Sequence, residues 1–104
     1  MARGIYVVRT RAVSAEREPE LDEWYDRTHI PELLAIPGFV AARRFRRVGG
    51  EGTELLAIYE IEAADLSAPL DELRRRSRAG VTTPTTALQL DPPPVVDLYE
   101  QVDG

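Results

Sequence analysis

Two short runs constrain the fold more than anything else in the chain: GIYVVRTRA from Gly4 to Ala12 and ELLAIYEIE from Glu54 to Glu62 are apolar on both parities. In the first, Ile5 and Val7 alternate with Tyr6 and Val8; in the second, Leu55, Ala57, Tyr59 and Ile61 alternate with Leu56 and Ile58. Successive side chains of a strand point to opposite faces, so strands of this kind belong to a sheet covered on both sides.

The punctuation between the runs sets the order of elements. Pro19 sits where a helix favours proline, followed by Glu20, Asp22 and Glu23 in the first turn, and Leu21, Trp24, Tyr25 and Thr28 form an apolar stripe at helical spacing. Pro31 removes a donor and disfavours helical geometry at Ile30, which predicts a kink or restart before Leu33 and Leu34. Pro37-Gly38 is a turn, Phe39 to Val48 a second strand, and Gly49-Gly50-Glu51-Gly52 a hairpin connection onto the third. A second helix is expected over Asp65 to Arg78, ended by Ala79-Gly80. Ala87 to Leu90 and Val95 to Val102 supply a last strand, interrupted by Pro92-Pro93-Pro94 at an edge, a bend or a crossing to another chain.

The resulting fold class is α+β: a single domain over residues 1–104 with β-α-β-β-α-β order, the ferredoxin-like split repeat, whose four-stranded antiparallel sheet carries two helices on one face. No element remains to cover the other face. A second copy is therefore expected there, making a homodimer, and the C-terminal strand is expected to reach toward that partner.

Composition removes whole classes of chemistry. The chain has no Cys, no Lys and a single His, and all 13 basic residues are Arg. Thiolate nucleophiles, Schiff bases and lysine-bound pyridoxal phosphate are excluded, and His-rich metal sites lack ligands, so neither a metal nor an organic cofactor is expected. A net charge of −5 argues against nucleic acid as the partner, with the clusters Arg43-Arg44-Arg46-Arg47 and Arg74-Arg75-Arg76-Arg78 read as solvated faces. No apolar run approaches the ~20 residues of a membrane helix. Met1 to Gly4 opens directly into a strand without a signal-peptide core, so a cytoplasmic protein is expected.

The chemistry concentrates in WYDRTHIPELLAIPGF, Trp24 to Phe39, which holds the only tryptophan and the only histidine. With the strand that follows, this stretch resembles the EthD-like group of the dimeric α+β barrel superfamily, whose first helix and second strand read W-Y-x-x-x-H-x-P-x-L-x-x-x-P-G-F followed by an Arg and an aromatic. The matching positions are Trp24, Tyr25, His29, Pro31, Leu33, Pro37, Gly38, Phe39, Arg44 and Phe45. The Thr-Pro-Thr-Thr loop and the triple proline depart from that pattern. The resemblance implies a dimeric barrel. It also implies a role among dehydratases, decarboxylases and cyclases of aromatic polyketides, or among degradative accessory proteins.

On that reading His29 is the acid/base of a cofactor-free reaction on a small hydrophobic or aromatic molecule, titrating near neutrality, with Asp26 orienting its ring. Trp24, Tyr25, Tyr6 and Tyr59 line a cleft between helix and sheet, joined by Phe45, and Arg43 or Arg44 meets a phenolate or carboxylate. Two alternatives stand beside it: a cofactor-free monooxygenase on the same barrel plan, and a non-catalytic small-molecule-binding or accessory protein. In the plainest alternative His29 only bonds locally, where Pro31 frees a carbonyl, and Trp24 and Tyr25 are core.

Overall fold

The computed structural model describes residues 1–50 and 54–102. Its sheet has four strands, β1 (Ala2–Thr10), β2 (Phe39–Arg46), β3 (Leu55–Ala63) and β4 (Val95–Glu100), in the order β2-β3-β1-β4 with every neighbouring pair antiparallel. A helical run between β1 and β2 is made of α1 (Glu18–Trp24), a π turn (Tyr25–His29) and α2 (Ile30–Leu34), and α3 (Ser67–Arg78) connects β3 to β4. This is a four-stranded antiparallel α+β fold consistent with the ferredoxin-like plan. No helix among the described residues is long and apolar enough to cross a membrane.

Register explains why the central strands are apolar on both parities. Gly4, Tyr6, Val8 and Thr10 of β1 face the same side as their β3 partners Ile61, Tyr59, Ala57 and Leu55. Onto that side pack Leu21, Tyr25 and Leu33 from the helical run, Leu70 from α3, and Ile36, Phe39 and Ala87, forming one buried core. Tyr59, Leu21, Leu33, Ile36 and Ile61 are its largest fully buried side chains, and truncating one such Leu or Ile to Ala costs ~2–5 kcal/mol. Gly38 lets β2 start beneath α3: its φ is +102°, and a Cβ there would lie 2.5 Å from Pro69 Cγ.

The helix-free face is not purely apolar. Ile5, Val7, Leu56, Ile58, Phe45, Tyr99 and Val95 share it by register, and at its centre Val7 is only 6% exposed. Around them run ion pairs: Arg3 with Glu62 at 2.7 Å, Arg9 with Asp97 at 3.2 Å and Arg43 with Glu60 at 3.9 Å.

Several boundaries differ from expectation. Ala87 to Leu90 is not a strand; Leu88 makes one isolated bridge to Ala12, the chain bends at Asp91-Pro92, and Pro93-Pro94 lead into β4. Within this chain β4 pairs with its own β1, as an edge strand. Asp65 stands outside α3 and its carboxylate accepts hydrogen bonds from Ser67 N and Oγ. Of the hairpin connection, Gly49 and Gly50 have positive φ, and Glu51 and Gly52 lie outside the described residues.

Candidate functional site

Pro31 shapes the site without breaking the helix. Ile30 keeps helical angles (φ −61°, ψ −48°), and its N–H donates to Tyr25 O, five residues back, so the backbone widens to a π turn. The reason is steric: a proline ring inside an α-helix collides with the carbonyl four residues earlier, here that of Arg27, and a wider turn relieves the collision. Of the expected kink or restart, the run shows the restart: the backbone widens over Tyr25–His29 and regular α-helix resumes at Ile30, with Pro31 in its first turn.

The expansion aligns two rings that a regular helix would keep apart. At 3.6 residues per turn, positions five apart point about 140° away from each other, whereas i to i+5 bonding brings them toward one side. Trp24 and His29 accordingly stack, with centroids 4.3 Å apart and planes 15° apart. Tyr25 meets the imidazole edge-on at 5.4 Å and the indole at 5.0 Å. His29 as a whole is half-buried, but its Nδ1 is buried and has no hydrogen-bond partner among the described residues.

Burial dominates the electrostatics of that imidazole. Desolvation lowers the His29 pKa from 6.5 to about 4, opposed only in part by the negative charge of Glu32. The ring is therefore neutral at pH 7, which corrects the expected titration near neutrality. Asp26 does not orient it: that carboxylate is exposed and lies 3.9 Å from Arg44 Nη1.

Arg44 and Phe45 part company because neighbours on a strand face opposite ways. Arg44 lies on the helix side, donates to Asp22 Oδ1 at 2.7 Å and holds its guanidinium 4.4 Å above the Tyr25 ring. Phe45 and Arg43 belong to the helix-free face, opposite Leu56 and Ile58. Phe45 thus does not join His29, and of the two candidate arginines only Arg44 lies on the site's side.

Tyr6, Tyr25 and Tyr59 all lie in the layer between helices and sheet. Tyr6 and Tyr59 are 6.0 Å apart, and Phe39 packs its ring against both. Burial raises the pKa of all three phenols; Tyr25 is partly relieved by a hydrogen bond with Thr10 and by Arg44. The Tyr59 hydroxyl, like His29 Nδ1, is buried without a partner. Unpaired buried polar atoms are uncommon and cost ~1–3 kcal/mol each.

Glu32 and Thr83 also belong to this neighbourhood, and sequence reasoning missed both. Trp24 Nε1 donates to Thr83 O at 2.9 Å, while Thr83 N and Oγ1 donate to the Glu32 carboxylate at 2.9–3.1 Å. Glu32 was findable, three residues after His29 on a helical run. Thr83 carried no signal, because its partners are 51 and 59 residues away.

A surface depression of about 290 Å³ at the sheet edge, lined by Asp22, Asp26, Arg44, Phe45 and Leu55, lies beside the site and brings Arg44 and Phe45 to one rim, and a larger one of about 490 Å³ opens among Ile5, Glu60, Glu62 and Tyr99. Neither is lined by His29. Among the described residues no group of three or more His, Asp or Glu side chains could hold a metal ion. Compared with protein-family models, with curated proteins and with solved structures, the chain matches none.

Proposed function

We propose that this protein is a cofactor-free acid/base enzyme of the EthD-like, dimeric α+β barrel kind, acting on a small oxygenated aromatic or polyketide-type molecule. The observation that carries the reading is the buried, unpartnered Nδ1 of a neutral imidazole stacked on Trp24. A neutral ring can take a proton, although a pKa of about 4 makes it a weaker base than an ordinary imidazole, so its proton-accepting role depends on the ligand supplying an already acidic C–H. Nδ1 would remove a proton from an activated carbon beside a ligand carbonyl. The imidazolium would then return it to a departing hydroxyl, lost as water, or to a ring carbon. Arg44 stabilises developing negative charge from above Tyr25. The helix-free face, with its half-buried aliphatic centre, supports a homodimer as the assembled form.

A second reading, a small-molecule-binding protein without catalysis, draws on the closure of His29 away from both surface depressions. One experiment separates the two. Hydroxylated naphthalenes and short aromatic β-ketones are titrated against wild type and His29→Gln, following Trp24 emission for binding and substrate absorbance for turnover. For the enzyme, turnover falls by ~10²–10⁴-fold in the variant while affinity changes little. Binding without turnover in either protein supports the second reading, and no binding to either rejects both.

A further inference from the structure

Thr83 is bonded at once to the two residues that flank His29. On one side stands Trp24, whose indole covers the imidazole face and whose Nε1 donates to Thr83 O. On the other is Glu32, the carboxylate that acts on the imidazole electrostatically and accepts from both Thr83 N and Thr83 Oγ1. Three residues further on, Arg17 donates to Thr86 O at 3.2 Å and Thr86 Oγ1 at 2.7 Å. Beyond that Ala87 is fully buried, its carbonyl accepting from Val13 N at 2.8 Å. The segment from Val81 to Thr86 has no regular secondary structure and is largely exposed, so polar bonds fasten its outer part and apolar packing holds only its Ala87 end. Polar bonds at a wet surface exchange readily with water, whereas a buried anchor does not.

We propose that residues 81–86 form a strap over His29, latched where Thr83 sits between Trp24 and Glu32, and that release of Thr83 from Glu32 opens the way to Nδ1. This rests on the reading of His29 as the centre of the site. Glu32 and Thr83 are then positioning residues: they touch no ligand themselves but set when the imidazole and indole are accessible. Ala87 acts as the hinge end.

The composition permits a test that needs no substrate. With one His and no Lys or Cys, diethyl pyrocarbonate reacts at His29, and the ultraviolet absorbance of the carbethoxyimidazole reports that residue. At fixed neutral pH the wild type, whose His29 is half-buried with Nδ1 covered, should react more slowly than either variant. Glu32→Ala, which removes all three carboxylate contacts to Thr83, should react about tenfold faster or more, with Trp24 emission shifted to the red and far-ultraviolet circular dichroism unchanged. Trp24→Phe keeps an aromatic stack but loses the bond to Thr83 O, and should also accelerate the reaction. Equal rates in wild type and both variants, each folded, would overturn the strap whether or not the protein proves to be an enzyme. Conversely, faster reaction in a protein that never turns over any ligand would leave the strap standing and reject only the catalytic reading.

Discussion

Trp24 and His29 lie face to face at 4.3 Å although they are five positions apart, a relationship that exists only because the helix widens between them. The cause is local and covalent, the proline at position 31, so the pairing can be undone by one substitution.

Pro31→Ala restores an N–H and removes the ring, allowing the run to return to regular α-helix. His29 should then turn away from Trp24, and its pKa should climb from about 4 toward 6.5. Proton NMR of the single imidazole measures this directly. A pKa unchanged from wild type would mean that packing, not Pro31, holds the π turn.

Stability should depend on pH through the same group. Its folded pKa lies below its unfolded value, so protons bind the unfolded chain more strongly between about 4 and 6.5. Stability from this residue is complete above 6.5, is lost as pH falls through that window, and is level below it; the total is up to about 3 kcal/mol. Urea unfolding of wild type and His29→Gln across the window isolates this from the carboxylates, since the difference between the two proteins should shrink or reverse toward the acid end.

Trp24 emission offers an optical version of that titration. A protonated imidazole stacked on an indole quenches it, so wild-type emission should hold steady from neutral pH down and drop around pH 4. His29→Gln should show no such step. A midpoint near 6.5 in wild type would contradict the burial described for the ring.

Tyr59→Phe removes a buried hydroxyl that has no partner while keeping the ring against Tyr6 and Phe39. Leaving a polar group unpaired costs ~1–3 kcal/mol, so the variant should be more stable, with a melting temperature higher by about 4–8 °C per kcal/mol gained. A clear loss of stability would show that the hydroxyl is bonded in solution.

Phe45→Asp together with Tyr99→Asp places charge on the helix-free face at two exposed positions that contribute nothing to the helix-side core. In light scattering the wild type should have twice the mass of one chain and the double variant the mass of one, with circular dichroism preserved. A wild-type monomer would remove the second copy from the proposal.

Much of the architecture was legible in the chain. These signals are local: the β-branched and aromatic apolar runs of Gly4 to Thr10 and Leu55 to Glu62, the 3.6-residue stripe of Leu21, Trp24 and Tyr25, and the Pro-Gly turn before Phe39 specify their elements whatever lies nearby, and their order selects the split β-α-β arrangement. The same local rule sets Arg44 and Phe45 on opposite faces, yet the sequence reading assigns both to one cleft, because which face carries the site depends on where the helices lie. What only the tertiary structure decided is everything that depends on burial or on partners distant in sequence. The pKa of His29 follows from how much water the surrounding core excludes, not from Asp26 nearby in sequence. Its latch runs through Thr83, some fifty residues away, which no spacing could reveal. Pro31 lies between the two cases: its disturbance of the helix was readable, but that the backbone widens rather than breaks is seen only in the folded run, where Tyr25 and Leu33 on either side both lie in the core.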